Sequence, residues 1–292
     1  MAKSATPTPS EPIITAPSEP ITAAEPIQER DKFALQKFID PDARLPFIQA
    51  LRGPTKDLCG YFVPVAQMAA AGWKNLDEAN IVTYTYESSG NEEQGILIPS
   101  PRMLVCPKTP VLGFDRQESQ TTKSTVVLGR YTSDMKGVEH ISNLQYFQIF
   151  LLDGNNQRLH EIPLSYKATG ANQATFSIHW QSFCQELNIC HSLVNRIPAK
   201  PKNNQFNSLC VFCFSTSRDQ VGDKQKSFAI RVVDHEKPTT ENWRSYFVGL
   251  GLNDTEEEYV WSSLSPEQPL MIPGAPQVPQ LLAAPTDDDP PY

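Results

Sequence analysis

The sequence predicts an α+β protein that is mainly antiparallel β-sheet, with three or four helices and disordered termini. Segments that alternate between apolar and polar residues outnumber the segments with helical spacing. Turn residues, and not crossover helices, join most of the predicted strands, which favours antiparallel neighbours. A small barrel, such as an OB-like fold with helices at its ends, is one architecture that fits this pattern.

The first half of the chain is predicted to contain two short helices and a hairpin. Residues 31–39 and 67–73 have the spacing of short amphipathic helices, and residues 58–65 (LCGYFVPV) form a predicted strand. Residues 81–89 (IVTYTYESS) alternate between two faces, which is typical of a half-buried strand. The turn sequence SGNEEQG follows, so residues 96–106 are predicted to return as the partner strand, interrupted at their prolines.

A hairpin and a long helix are the clearest elements of the second half. Residues 124–133 form a predicted strand in which Gly129 marks a bulge or a kink. Residues 143–166 predict a hairpin around the turn DGNNQ, because β-rich sequence lies on both sides of that turn. In residues 172–193 apolar side chains recur every three or four positions, which predicts a helix.

Two further strands and a last helix complete the predicted core. Residues 206–217 and 226–235 are rich in apolar residues, and the polar sequence RDQVGDKQ connects them as a turn. Residues 239–251 begin with a threonine that could cap a helix and end at Gly249 or Gly251. These residues therefore predict a helix that follows the last strand.

Composition divides the chain into a core and two proline-rich ends. Residues 1–30 hold six prolines, and residues 263–292 hold eight prolines and no lysine or arginine. Such segments bury too little apolar surface to offset the entropy lost on ordering, so both ends are predicted to be disordered. Residues 31–262 remain as one globular, β-rich core.

The net charge is distributed unevenly along the chain. The whole chain has a formal charge of −8, but residues 253–292 carry eight acidic residues and no basic one. Residues 31–252 carry 21 acidic and 23 basic residues, so the predicted core is near +2. An acidic tail on a weakly positive core could fold back on a basic groove and compete with an anionic partner there.

Cysteine usage and hydropathy predict a cytoplasmic protein that has no membrane partner. The first 30 residues lack the basic start and apolar stretch of a secretory signal, and no run of 18 apolar residues occurs. The six cysteines are scattered over a large core, which indicates reduced thiols and not a disulfide framework.

Catalytic and metal-binding signatures are not found in the sequence. It contains none of the motifs GxxxxGK[ST], GxGxxG, HExxH and GxSxG, so we predict a non-enzymatic protein with no cofactor. Cys210 and Cys213 form a lone CxxC pair, and side chains three apart in a strand point to opposite faces. A zinc site would need further ligands such as Cys184, Cys190 and His191, whose spacing fits no known zinc motif, so buried thiols are the favoured interpretation.

Aromatic and basic residues in the predicted strands indicate a surface for single-stranded nucleic acid. Tyr84 and Tyr86 share one face of their strand and could stack on successive bases, although packing against the core is the alternative. Basic residues beside aromatic or turn residues could neutralise phosphates, although scattered solubilising charge would look similar. The basic candidates are Arg102, Arg116, Arg130, Lys224, Lys226 and Arg231.

The chain ends with PTDDDPPY, an acidic cluster followed by prolines and a terminal aromatic residue. A solvated tail needs charge but no aromatic side chain. An aromatic ring can fill an apolar pocket of a partner, while carboxylates meet lysine or arginine at its rim. The residues of this predicted docking tip are Asp287, Asp288, Asp289, Pro290, Pro291 and Tyr292.

The sequence DDDPPY resembles the C-terminal tip of bacterial single-stranded-DNA-binding proteins. In that family a β-barrel core precedes a low-complexity linker that ends in aspartates, a proline and a terminal aromatic residue. Tyr292 stands where phenylalanine is usual. The resemblance implies a tip that docks onto enzymes of replication and repair. The stretches FIQALRG, CGYFV, AGW and ILIPSPRMLVCP resemble an uncharacterised family carried on cyanobacterial chromosomes and plasmids, which implies no function.

The leading hypothesis from the sequence is a non-enzymatic single-stranded-DNA-binding protein that acts in replication, recombination or repair. Its expected partners are single-stranded DNA and, through the tip, replication or repair proteins, and a homo-oligomer is compatible with it. The first alternative is a protein-interaction adaptor that does not bind nucleic acid. The second is an enzyme of an unfamiliar type.

Overall fold

An eleven-stranded sheet forms the centre of the structure, a computed structural model that describes residues 45–264 except 56–57, 75, 77, 87–88 and 223–225. Most neighbouring strands are antiparallel, so the predicted α+β class with a mainly antiparallel sheet is confirmed. In chain order the strands are β1 (Phe47–Leu51), β2 (Gly60–Pro64), β3 (Ile81–Thr85), β4 (Glu92–Ile98), β5 (Arg102–Pro107), β6 (Leu112–Asp115), β7 (Val126–Arg130), β8 (Ile141–Leu151), β9 (Leu164–Thr169), β10 (Phe212–Val221) and β11 (Ser227–His235).

The sheet is open. Its strands follow the order β11-β10-β5-β8-β9-β1-β2-β4-β3, and β6 pairs with both β7 and the first part of β8. Within the described residues no ladder joins β11 to β3, so the closed barrel that the sequence allowed is not formed there. One ladder of the described sheet is parallel: β1 pairs with β9, with Phe47 opposite Ser165 and Ile48 opposite Tyr166.

The described residues contain five α-helices, where the sequence predicted three or four. The predicted helices at 67–73 and 172–193 are confirmed as α1 and α3. The predicted helix at 31–39 and the proline-rich segment 1–30 lie outside the described residues, as does the chain beyond Leu264. The helices are α1 (Val65–Ala71), α2 (Arg116–Thr122), α3 (Gly170–Asn195), α4 (Asn204–Ser208) and α5 (Asp254–Leu264).

Three local predictions for strands are also confirmed. β3 and β4 form a hairpin as predicted, but β4 begins at Glu92, inside the predicted turn SGNEEQG. The prolines after Ile98 separate β4 from β5, the rest of the predicted return strand, which pairs with β8 and β10 instead. β8 and β9 form the predicted antiparallel pair. Gly129 has a φ of +123° beside a register shift, because Gly113 faces Gly129 while Phe114 faces Val127. A bulge therefore bends β7 at the position that the glycine marked.

The helix predicted for residues 239–251 is wrong. This segment forms two short 3-10 turns, Trp243–Tyr246 and Val248–Leu250. Its backbone instead bonds to the chain just before β10: the Val211 N–H donates to the Tyr246 carbonyl at 2.7 Å, and the Val248 N–H donates to the Leu209 carbonyl at 3.1 Å. These long-range bonds use backbone groups that a continuous helix would need.

Asparagine side chains cap the N-termini of two helices that the sequence did not predict. The Phe206 N–H donates to Asn203 Oδ1 at the start of α4, and the Glu256 N–H donates to Asn253 Oδ1 at the start of α5, both at 2.9 Å. Helix α5 ends at Leu264, which is fully buried. The folded part therefore continues two residues past the predicted boundary at 262.

An aromatic cluster joins α3 to the sheet. Phe176 on α3 is fully buried, and its ring lies 5.0 to 6.4 Å, centroid to centroid, from five other rings. These rings come from strands β2, β8, β9 and β10, so one side chain connects four strands of the sheet to the helix. The five neighbours are Tyr61, Phe147, Tyr166, Phe212 and Phe214.

A neutral histidine is buried where α1 meets the β8–β9 connection. The Leu151 N–H donates to His160 Nε2 at 2.9 Å, so Nδ1 carries the proton and donates to the Ile162 carbonyl at 2.8 Å. The imidazole stacks on Trp73 with a centroid separation of 5.5 Å. Burial lowers the pKa of His160 to about 4. A second proton on Nε2 would face the Leu151 N–H donor, which disfavours the charged form of His160.

Candidate nucleic-acid interface

A cleft of about 340 Å³ opens where β1 and β9 end and α3 begins; we call it the α3 cleft. Tyr84 in β3 and Tyr86 just after β3 form another part of its wall, and residues of β11 form a third part. Of the described residues that line it, two are basic and none is acidic. The lining residues are Ala50, Leu51, Arg52, Tyr84, Tyr86, Lys167, Thr169, Asn172, Ala229 and Ile230.

The parallel β1–β9 pair explains why these residues meet. Ile48 lies opposite Tyr166, so the end of β1 lies beside Lys167 and Thr169 at the end of β9. The chain then passes directly into α3 through Gly170, whose φ of +56° is a left-handed conformation that glycine adopts without strain. The turn from strand to helix is therefore tight, and the first turn of α3 lies at the cleft.

The N-terminus of α3 is electropositive and is not capped by a side chain. Thr169 occupies the N-cap position, yet its side chain forms no capping hydrogen bond within the described chain, and the first turn has no acidic residue. The first N–H groups of a helix have no partner inside the helix. In a helix of 26 residues these groups form a partial positive charge that favours anions.

Asn172, in the first turn of α3, holds a buried amide in a defined orientation. The residue is 5% exposed, and its Oδ1 accepts a hydrogen bond from the Tyr166 hydroxyl. That hydroxyl also lies 3.1 Å from the Tyr61 hydroxyl, and burial raises the pKa of both tyrosines. Among the described residues the Asn172 Nδ2 amide has no hydrogen-bond partner. A buried donor without an acceptor costs about 1–3 kcal/mol.

Two arginines join the end of β1 to the β10–β11 hairpin beside the cleft. Arg52 Nη1 donates to the Phe228 carbonyl at 3.2 Å. The Arg218 guanidinium lies 3.5 Å from the centroid of the Phe228 ring, and its Nε donates to the Gly53 carbonyl at 2.9 Å. The guanidinium of arginine stays charged at neutral pH, so both side chains place positive charge at this edge.

Lys167 provides a second cation in the cleft wall. The residue as a whole is exposed, but its ammonium lies 2.6 Å from Thr125 Oγ1 and 5.5 Å from the centroid of the Phe114 ring. Partial burial of the ammonium lowers the pKa of Lys167. The long side chain of Lys167 therefore lines the cleft, while its ammonium group contacts the Thr125 hydroxyl and the Phe114 ring.

The two tyrosines have different environments. Tyr84 is 5% exposed, and its ring centroid lies 5.6 Å from that of Phe62. It therefore packs in the core, the alternative that the sequence left open, and cannot offer a ring face to a base. Tyr86 is half-buried; its hydroxyl donates to Glu93 Oε2 at 2.6 Å and accepts from Gln49 Nε2 at 3.3 Å. Burial and the Glu93 carboxylate raise the pKa of Tyr86 to about 12. Tyr86 is thus the one predicted stacking residue whose ring is partly accessible in the described cleft.

The structure does not bring the predicted arginines together at the cleft. Arg102 donates to Asn156 Oδ1 at 2.7 Å and lies 3.9 Å from the Glu236 carboxylate, in another depression. Arg116 begins α2 and donates to the Glu139 carbonyl, and Arg130 is exposed at the end of β7.

Two predicted basic residues lie in or next to β11, and a third precedes them in the sequence. Arg231 follows the cleft residue Ile230 and forms an ion pair with Asp219 at 3.6 Å. Lys226 is exposed just before β11, and Lys224 lies outside the described residues. The docking tip, Asp287–Tyr292, lies outside them as well.

The cysteines lie in the interior. All six are buried, and burial raises the pKa of the Cys184 and Cys213 thiols to about 12. Across the part of the chain that the structure describes, no three His, Cys, Asp or Glu side chains form a metal-binding group. His179 Nδ1 lies 2.9 Å from His235 Nδ1, and His235 Nε2 lies 3.3 Å from Glu186, as a hydrogen-bonded pair with one carboxylate.

Arg52, Lys167 and Asn172 were not identified from the sequence. A local signal was present in KATGANQ, where a lysine and a threonine precede a long helix that begins with a glycine and whose first turn lacks an acidic residue. That signal favours an anion near the helix. Arg52 gave no such signal, because its place in the site depends on the distant pairing of β1 with β9. No described helix has the length and apolar character needed to cross a bilayer.

Comparison with curated proteins and with solved structures gives no significant match. One family model, described as "Domain of unknown function (DUF5895)", matches residues 42–281. The match includes every residue that lines the α3 cleft and ends before Asp287. Since it spans most of the chain, the protein belongs to the family described as Domain of unknown function (DUF5895).

Proposed function

We propose that this chain is a non-enzymatic, cytoplasmic single-stranded-DNA-binding protein that uses the α3 cleft. The observation that carries the proposal is the meeting of Tyr86, two cations and an uncapped helix N-terminus in a cleft without a described carboxylate in its lining. Proteins that hold single strands combine positive charge along the backbone with aromatic rings for the bases. The resemblance of the C-terminal tip to those of bacterial single-stranded-DNA-binding proteins supports the same function.

The volume of the α3 cleft is that of a site for one small ligand and is too small for a long groove. In our proposal one nucleotide occupies it, with its base against Tyr86, and the adjoining strand passes along β11 near Arg231 and Lys226. Binding of this kind neutralises phosphates and stacks bases without reading their sequence. The acidic tip would recruit replication, recombination or repair proteins.

Replacing Tyr86 with leucine should weaken binding of a labelled single-stranded oligonucleotide about 5- to 150-fold, since stacking contributes about 1–3 kcal/mol per base. The dependence of affinity on salt should be unchanged, because no charge is removed. Fluorescence anisotropy titrations at several salt concentrations measure both quantities. Tyr259→Leu is the matched control: it removes a tyrosine that is 43% exposed on α5, outside the cleft lining.

The same titrations test the cations. Arg52→Gln should weaken binding and make the log–log slope against salt shallower by roughly 0.7, the value for one phosphate contact on a single strand. Arg130→Gln changes the charge equally but lies outside the cleft lining, so it should leave the slope unchanged. The reverse result would place the binding surface on β7 and contradict the cleft.

The adaptor function has one observation in its favour. The outer face of α3 and the residue beyond its C-cap expose aliphatic side chains, which is typical of protein-binding surfaces. The exposed fractions are 61% for Ile178, 50% for Ile189, 64% for Leu193, 38% for Val194 and 46% for Ile197. Absence of oligonucleotide binding at low salt would favour this function.

Tyr292→Ala should remove most of the protein partners recruited by the tip, because a ring in a pocket is the usual anchor of such contacts. Tyr292→Phe should retain them, since the ring is preserved. Affinity capture from host lysate, followed by mass spectrometry, compares the partners of each variant.

Deleting residues 287–292 should leave affinity for the oligonucleotide equal or higher, because it removes three carboxylates that compete with phosphate.

A tail in which the last eight residues are scrambled keeps the composition and charge of the tip. It should capture no more of these partners than Tyr292→Ala does. Identical partners from the wild-type, Tyr292→Ala and scrambled tails would contradict docking by the tip and would leave it as a solubilising segment.

A further inference from the structure

The solvent side of α3 carries no charged side chain. Among the 26 residues of α3 the sequence has one Asp, Glu, Lys or Arg, which is Glu186. The Glu186 carboxylate lies 3.3 Å from His235 Nε2 on β11, so it is directed towards the sheet. The whole chain has a formal charge of −8, so two copies repel each other at long range. An uncharged helix face brings no like charges together when two copies meet.

Six positions on this side of the helix form a continuous row, which we call the α3 ridge. With 3.6 residues per turn they lie within about 100° of the helix circumference. Its three large aliphatic side chains are 61%, 50% and 64% exposed, in chain order. The α3 ridge consists of Ala174, Ile178, Ser182, Gln185, Ile189 and Leu193.

The spacing along the α3 ridge is the same from either end. Successive positions are four, four, three, four and four residues apart. A two-fold axis perpendicular to the helix makes each residue meet the mirrored position of the second copy. Two aliphatic residues would then face each other, a small residue would face a large one, and a hydroxyl would face an amide. The facing pairs are Ile178 with Ile189, Ala174 with Leu193, and Ser182 with Gln185.

We propose that the α3 ridge is the interface of a homodimer in which two α3 helices pack antiparallel. The two-fold axis passes midway between Ser182 and Gln185. From Ala174 to Leu193 the ridge is about 29 Å long, and a helix is about 10–12 Å across. Such a contact buries about 600–800 Å² in total, within the range of weak and transient complexes. We therefore expect a dissociation constant on the order of 100 µM.

Sedimentation equilibrium of the full-length protein between about 10 and 500 µM spans this dissociation constant. We expect the average mass to rise from 32.6 kDa towards twice that value as the concentration increases. Ile178→Glu should weaken dimerisation at least tenfold, because it places a carboxylate against an aliphatic side chain twice in each dimer. A wild-type mass that stays at 32.6 kDa over the whole range would overturn the proposal.

Leu250→Glu is the matched control. It adds the same charge at a side chain that is 58% exposed on a 3-10 turn outside α3, so it should change the dissociation constant less than twofold. Equal losses from Leu250→Glu and Ile178→Glu would overturn the proposal, since general charge and not the α3 ridge would then govern association. Glutamate and lysine are good helix formers, so the variants at exposed positions of α3 should fold. Circular dichroism checks this.

A charge pair tests the antiparallel arrangement. In the double variant Ile178→Glu/Ile189→Lys each carboxylate faces an ammonium group of the second copy, whereas a parallel pair would bring like charges together. The double variant should dimerise at least fivefold more tightly than Ile178→Glu, and its affinity should fall as salt rises. Salt should not weaken the wild-type dimer, because the α3 ridge carries no charge. A double variant as weak as Ile178→Glu would overturn the antiparallel arrangement.

Other occupants of the α3 ridge give a different result. If residues 1–44 or 265–292 of the same chain cover it, or if it binds a different protein, the purified wild type stays monomeric and the proposal is overturned. The dimer goes beyond the proposed function and does not depend on it. No nucleic acid is present in these experiments, so failure of DNA binding would leave their outcome unchanged.

Discussion

Replacing Phe176 with alanine should lower the free energy of unfolding by about 3–5 kcal/mol, the usual range for removing a buried phenylalanine from a packed core. The ring is fully buried and lies among the five rings that join α3 to four strands. Its loss removes contacts on every side and leaves a cavity that aromatic neighbours cannot easily fill. Urea denaturation followed by circular dichroism measures the change.

Ile178→Ala is the control on the same helix. Ile178 is 61% exposed, so its replacement should cost less than about 0.5 kcal/mol. On the proposed function, Phe176→Ala should also weaken oligonucleotide binding under conditions where part of the protein unfolds, because α3 carries the first turn beside the cleft. Equal destabilisation by the two variants would show that α3 is not held by the aromatic cluster.

Acidification from pH 6.5 to pH 4 should remove about 3 kcal/mol of stability through His160 alone, from a pKa difference between about 4 in the folded state and 6.5 in the unfolded state. The pKa is lower in the folded protein, so the unfolded chain binds more protons in this window. Stability is therefore fully present above pH 6.5 and falls as the pH drops towards 4. Urea denaturation at half-unit pH intervals measures the slope.

His160→Gln isolates this contribution from that of the carboxylates. The variant should be less stable at pH 7, but its stability should depend less on pH between 4 and 6.5. Burial is the main cause of the lowered pKa; the charges of Arg158 and Lys74 add to it, and Glu161 opposes it. His140→Gln, at a side chain that is 49% exposed, should keep the wild-type slope. Parallel pH profiles for wild-type and His160→Gln would contradict the neutral buried histidine.

The elements that the sequence predicted well are those that short-range pattern determines. The alternation in residues 81–89 gave β3, the apolar spacing in 172–193 gave α3, and Gly129 marked a bulge. Residues 239–251 failed because their backbone bonds to Leu209 and Val211, which no local pattern reveals. Propensity is a weak guide where tertiary bonds compete with it.

The candidate site was predictable only in part, for the same reason. Tyr84 and Tyr86 were found because they share the strand predicted for residues 81–89, although packing against Phe62 leaves Tyr84 buried. Arg52 and Asn172 come from distant parts of the chain and meet through β1–β9 pairing. The basic residues singled out by their neighbours in sequence, such as Arg116 and Arg130, lie outside the cleft lining.

The parallel pairing of β1 with β9 also determines when the cleft can appear during synthesis of the chain. Phe47 can pair with Ser165 only after Ser165 has been synthesised. The part of the cleft wall that β11 forms likewise requires residues 227–235. Contacts between such distant residues require closure of a long loop, and topologies rich in them fold slowly. A nascent chain that still lacks β9 and α3 therefore contains β1, Tyr84 and Tyr86 but has no α3 cleft.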